Sequence, residues 1–311
     1  MPSALICGSI AYDSIMVFPD QFKNHILPDQ VHILNVSFLV PQMRREFGGC
    51  AGNIAYNLKL LGGEGYPVAT VGQDFGPYRA RFEQLEIPLD RVKVLGHMFT
   101  AQAFITTDLD DNQITAFHPG AMGDSHQNDV TSMPKADIGI VAPDGGDGMK
   151  QHAEGFAATD TPFIFDPGQA MPLFNGEEFR HFIDLATWVT VNSYESKLLE
   201  ERTGWSAAEI ASRVKAYIVT EGGNGVTVHQ GNETFHVPAV DISGIADPTG
   251  CGDAFRGGLL YGLMEGYSLE KTVQLASLMG GIKIEHEGTQ NHAPSREEIA
   301  ARFEKQFGEA L

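Results

Sequence analysis

Cysteine is scarce in this chain, with only Cys7, Cys50 and Cys251 among 311 residues. Their number is odd and they form no Cys-x-x-Cys pair, so neither a disulfide framework nor a zinc ribbon is encoded, and a reducing cytoplasm is the expected setting. Basic residues are also few. The 21 Lys and Arg stand against 40 Asp and Glu, a formal net charge of −19, which argues against nucleic acid as a partner because phosphate backbones require clustered cations. No apolar run approaches the roughly 18 residues of a membrane span. The first basic residue is Lys23, so no charged n-region opens a secretory signal. The chain contains no Gly-Lys dipeptide, which excludes a Walker A loop. It carries no internal repeat or low-complexity tract.

What is present alternates. Ala4–Ile10, Val68–Val71, Ile138–Ala142, Phe163–Phe165 and Trp188–Val191 are short apolar runs, the later ones separated by segments long enough for helices. That spacing predicts parallel strands in a doubly wound α/β sheet. The first run ends in Ala11-Tyr12-Asp13, which places Asp13 at a strand tip. Residues 14–47 lack helical period, and Val31–Val36 alternates roughly. Ala103–Thr107 and Gln113–Phe117 flank an acidic turn, Asp108–Asn112, as a hairpin does. Together these segments predict a second, small sheet. Ala51, Ile54, Ala55, Leu58 and Leu61 share one helical face, entered from Phe47-Gly48-Gly49 and closed by Gly62. Ala216–Thr220 and Val226–His229 read as strands around the turn Glu221–Gly225. Ser268 caps a further helix, and Ser295–Glu298 is a capping box for the last one.

The densest cluster of chemistry is Asp247-Pro248-Thr249-Gly250-Cys251-Gly252-Asp253, followed by an apolar run of helical spacing. Pro248 cannot lie inside a helix and Thr249 is the expected N-cap. The glycines let a ligand approach the backbone, and the free amides of a first helical turn form an anion site. A carboxylate planted there conflicts with anion binding unless it handles a proton. A hydroxyl held between Asp253 and a phosphate chain would meet a base on one side and an electrophile on the other.

This segment closely resembles the C-terminal signature of the ribokinase family of carbohydrate and nucleoside kinases. Gly48-Gly49 followed by Asn53-Ile54-Ala55 is similar to that family's N-terminal signature, and Asn192-Ser193-Tyr194-Glu195 resembles its Asn-x-x-Glu motif. The motifs fall in the family's order between Gly8 and Gly288. The resemblance implies a three-layer α/β/α kinase, a single ribokinase-like domain over residues 1–311, with a discontinuous β lid from about 14–47 and 98–120. It implies Asp253 as catalytic base and the amides of Gly250, Cys251 and Gly252 as anion hole. Substrate would be held by Asp13, Gly48, Gly49 and Asn53, with Gln169 as a further contact and Phe104 or Phe117 stacking on a base. Asn192 with Glu195 would order Mg²⁺ through water. Thr220, Gly222 and Gly225 would form the ATP loop, and K⁺ would lie at Asp247 and Thr249. The combination looks most like the microbial adenosine and nucleoside kinases, acting on the 5′-hydroxyl of a ribonucleoside as a monomer or homodimer. A ribokinase- or fructokinase-type free-sugar kinase is the alternative, and a regulatory nucleotide binder without turnover is a third.

Overall fold

The structure is a computed structural model that describes residues 2–26, 35–110 and 112–311. Of the alternating stretch Val31–Val36, residues 31–34 lie outside the described residues. Nine strands form the large sheet: β1 (Ser3–Cys7), β4 (Glu64–Val71), β5 (Val92–Val94), β8 (Ile138–Val141), β9 (Phe163–Phe165), β10 (Trp188–Asn192), β11 (Ala216–Thr220), β12 (Val226–Gln230) and β13 (Glu233–Val237). Their order is β13-β12-β11-β10-β9-β8-β1-β4-β5. In that order the strands from β5 to β11 run parallel, and at the other edge β12 is antiparallel to β11 and β13 to β12.

The period of two in a strand divides the core. Ala4 and Ile6 of β1 pack into a cluster with Ile54 and Leu58 of α1 (Cys50–Leu60), Phe82 of α2 (Gly76–Gln84) and Leu259 of α7 (Cys251–Met264). Leu278 of α8 (Leu269–Ile284) and Phe303 of α9 (Arg296–Phe307) complete that layer. Leu5 and Cys7 face the opposite way. They join Met149 of α3 (Gly146–Ala158), Phe182 of α4 (Gly176–Leu185), Leu199 of α5 (Ser193–Thr203) and Ile210 of α6 (Ala207–Ala211). The result is the expected three-layer α/β/α arrangement.

Among the described residues, four strands make the small sheet in the order β3-β2-β6-β7: β2 (Ala11–Val17), β3 (Gln42–Gly48), β6 (Ala101–Thr107) and β7 (Gln113–His118). The hairpin lies where its sequence pattern put it. Asp13 does not. It is the third residue of β2, opposite Glu46 and Ala103, rather than the tip of β1. The chain leaves the large sheet at Gly8–Ile10, where Ser9 N–H donates to Pro143, and those three residues carry it into the small one. Among the described residues no helix is long and apolar enough to cross a membrane.

Candidate active site

The small sheet faces the carboxyl ends of β1, β8, β9, β10 and β11 across a cleft of about 1240 Å³, large enough for two small substrates side by side. From the large sheet and its helices it is lined by Asn53, Asp144, Asp166, Gln169, Asn192, Glu195, Thr220, Gly222, Gly250, Gly252, Asp253 and Arg256, and from the small sheet by Asp13, Ala103, Ile105, Thr115 and Phe117. This is the position where open α/β sheets bind ligands.

At its centre the loop Asp247–Gly250 turns into α7. Gly250, not Thr249, is the N-cap, in the left-handed conformation at φ 80°. A side chain there would be strained and would press on Thr289. Thr249 instead donates its N–H to Asp247 Oδ1 at 2.8 Å. The Cys251 N–H is likewise engaged, by the Pro248 carbonyl at 3.2 Å, and Cys251 does not line the cleft. Of the three amides expected to form an anion hole, those of Gly250 and Gly252 are the ones with no partner among the described residues.

Asp253 sits in the first turn of α7, half-buried beside those amides. Burial pushes its carboxyl up to about 6, opposed by the hydrogen bond from Asn53 and reinforced by the negative Asp166. Asn53 is buried in the first turn of α1, and its amide is committed at both ends. Nδ2 donates to Asp253 at 2.8 Å, and Oδ1 accepts from Gln290 at 3.0 Å. Gln290 also donates to the Tyr78 hydroxyl at 2.7 Å, and that hydroxyl donates to the Gly48 carbonyl at 2.8 Å. The chain of bonds links the Gly-Gly entry of α1 to the expected base. Gly49 makes that entry possible: its φ is 88°, and a Cβ would lie 2.6 Å from both Ala11 N and Ser9 O.

Two buried residues outside the motifs support the site: Arg256 on the cleft floor, and Gln290 behind Asn53. Arg256, one turn beyond Asp253, makes a bidentate pair with Asp166, Nε to Oδ2 and Nη2 to Oδ1, both at 2.9 Å. Both residues are almost wholly buried. An arginine inside an otherwise apolar run was the available signal, since such a cation is retained only with a partner. Gln290 left no local signal.

Asn192 and Glu195 form a reciprocal capping box at the start of α5: Asn192 accepts from the amides of Tyr194 and Glu195, and Glu195 Oε2 accepts from Asn192 N–H. Both also line the cleft, and burial followed by the neighbouring Asp166 raises the Glu195 carboxyl above its ordinary range. A half-buried carboxylate beside Asp166 favours a bound cation. Mg²⁺, which keeps most of its waters, therefore fits this corner. K⁺ at Asp247 and Thr249 does not. The Asp247 carboxylate is spent on Thr249 and Gly288 amides, and its carbonyl accepts from Lys283.

In the loop expected to hold ATP, Thr220 and Gly222 line the cleft, whereas Gly225 does not and is buried. Its φ of 97° and the Val237 carbonyl 2.2 Å from a would-be Cβ make it a turn residue. On the small sheet, Asp13 is half-buried on the cleft face, its carboxyl raised to about 6 by burial, then by Glu46 and Asp247. Residues paired across strands share a face. Ala103 opposite Phe117 therefore looks into the cleft, while Phe104 opposite Ala116 looks away from it. Phe104 thus corrects the paired expectation: it lies outside the cleft lining, half exposed on the outer face.

The chain is 54% identical to a nucleoside kinase from Burkholderia thailandensis whose structure was solved with inosine, with a TM-score of 0.89 and 99% of each chain covered. A structure of the same enzyme with ADP-inosine gives a TM-score of 0.87, covering 99% of this chain and 97% of that one. A nucleoside kinase from Methanocaldococcus jannaschii is 28% identical over 273 residues, 87% of this chain and 90% of its own. The family model described as pfkB family carbohydrate kinase matches residues 10–296. That span contains every cleft-lining residue but Ser9, together with the segments at Gly48–Ala55, Asn192–Glu195 and Asp247–Asp253, and the chain belongs to the pfkB family of carbohydrate kinases.

Proposed function

We infer that this protein is an ATP-dependent nucleoside kinase that transfers the γ-phosphoryl group to the 5′-hydroxyl of a ribonucleoside. The observation that carries the reading is the meeting, in one cleft, of Asp253 at a helix N-terminus with Asp13 and Phe117 on the face of the small sheet. The Burkholderia relative solved with inosine and with ADP-inosine supports a purine nucleoside as acceptor.

The base packs against Phe117, and Asp13 accepts hydrogen bonds from the ribose diol. The primary hydroxyl then points toward Asp253. Transfer has a loose transition state, so the carboxylate needs only to be well placed and to accept the proton late, while positioning and charge stabilisation supply most of the rate. The free amides of Gly250 and Gly252 face the developing negative charge. Asn53 keeps Asp253 oriented and ionised. Thr220 and Gly222 flank the nucleotide. Six carboxylates and two cations line the cleft, so a triphosphate needs added positive charge. When bound, Mg²⁺ supplies it by neutralising phosphate oxygens, held through water by Asn192 and Glu195. The buried Asp166–Arg256 pair separates that corner from the base.

The test is product formation with ATP and Mg²⁺ across a panel of ribonucleosides and free sugars, repeated with Asp253→Asn. Turnover of nucleosides that the substitution abolishes supports the reading. Turnover confined to ribose or fructose replaces it with a free-sugar kinase.

A further inference from the structure

One cation stands beneath the phosphoryl-transfer loop that no step above employs. Lys283, in the last turn of α8, is completely buried. Its ammonium donates to two backbone carbonyls, Asp247 O at 2.7 Å and His286 O at 3.0 Å. A buried ammonium is ordinarily matched with a carboxylate. Here the nearby acid has turned elsewhere, its two oxygens taken by the amides of Thr249 and Gly288. What holds the ammonium is a pair of carbonyl dipoles, one of them just past the carboxyl end of α8, oxygen ligands of the kind an alkali cation takes. The two carbonyls belong to different segments. Asp247 opens the loop that ends at Gly250 and Asp253, and His286 lies just beyond α8, three residues before the Thr289 that packs on Gly250. The ammonium therefore ties the base of the anion loop to the segment that supports it.

We propose that Lys283 is a covalently attached substitute for a monovalent cation, a positioning residue that sets the Asp247–Gly252 loop for phosphoryl transfer and makes the enzyme independent of added K⁺. The inference rests on the kinase reading of that loop. It also explains why the K⁺ expectation fails at Asp247 and Thr249: the charge such an ion would bring is already in the chain.

The experiment uses the full-length protein with ATP, Mg²⁺ and nucleoside in a tetramethylammonium buffer, titrated with K⁺, Na⁺ or NH₄⁺. Wild-type kcat is expected to change by less than about twofold; activation of roughly tenfold or more by K⁺ or Na⁺ would overturn the proposal. Lys283→Ala is expected to lose about tenfold or more in kcat with nucleoside KM nearly unchanged, and to regain most of it with NH₄⁺ or K⁺ but not with tetramethylammonium. A variant that keeps its kcat, or loses it without rescue, reduces Lys283 to packing and sinks the idea. If Lys283→Ala does not fold, the wild-type titration still decides. Absence of turnover by the wild type in every salt would instead count against the kinase reading.

Discussion

Asn53 Nδ2 lies 2.8 Å from Asp253 Oδ2, so the side chain expected to grip the sugar holds the expected base instead. An amide donor stabilises the ionised carboxyl, and Asn53 lowers a pKa that burial has raised to about 6. The acid limb of kcat/KM should fall off as pH drops through about 6, where Asp253 and Asp13 both gain protons. Asn53→Leu removes the donor, so the limb should move to higher pH. A pH–rate profile of the variant checks this; an unmoved limb would mean that the contact does not govern the base.

Asp253→Asn should lower kcat by about 10²–10⁴-fold, the usual contribution of a general base, while nucleoside binding persists. The same change should stabilise the fold. A carboxyl whose folded pKa is raised opposes folding when ionised: the penalty is absent below the unfolded value of 3.8 and fully present above about 6. It amounts to at most about 3 kcal/mol for this partly buried group. Thermal denaturation at pH 8 should show a higher melting temperature for the variant, with the gain shrinking as pH falls through 6. An inactive variant with no such gain would contradict the burial argument.

The buried pair Asp166–Arg256 predicts a non-additive pattern. Asp166→Ala strands a buried guanidinium and should cost about 3–5 kcal/mol of stability, whereas Asp166→Leu combined with Arg256→Met should recover most of that loss. Denaturant titration of the single and double variants measures the coupling. Equal losses for single and double variants would mean that the pair is not the energetic unit.

The two aromatics of the small sheet should separate cleanly. Phe117→Ala should weaken nucleoside binding by about 1–3 kcal/mol, the range for loss of a base-stacking ring, with kcat less affected. Phe104→Ala, on the outer face, should leave KM unchanged. Isothermal titration of both variants with one nucleoside decides it.

The architecture was legible because local patterns and global fold agree: apolar runs of strand length, a glycine entry to α1, the Ser268 cap and the capping box at Ser295 all act where they were read. What escaped depends on long-range register. Asp13 reads as a strand tip because Gly8–Ile10 continue an apolar run, yet those residues bridge two sheets and Asp13 lies within β2. Whether Phe104 or Phe117 faces substrate follows from pairing across a hairpin and against β2, which alternation alone does not orient. Gln290 and Asn53 meet across 237 positions of sequence, and Lys283 looks like an ordinary helix-end cation until its burial is seen.

Phe117 and Asp13 stand on the small sheet, Asp253 and the free amides at the start of a helix packed on the large one, and passages such as Gly8–Ile10 join the two. Substrate choice and group transfer are thus written on separable pieces of chain. Replacement of the cleft-facing side chains on β6 and β7 can redraw the acceptor profile while the transfer apparatus is inherited intact, so drift in preference need not pass through an inactive ancestor.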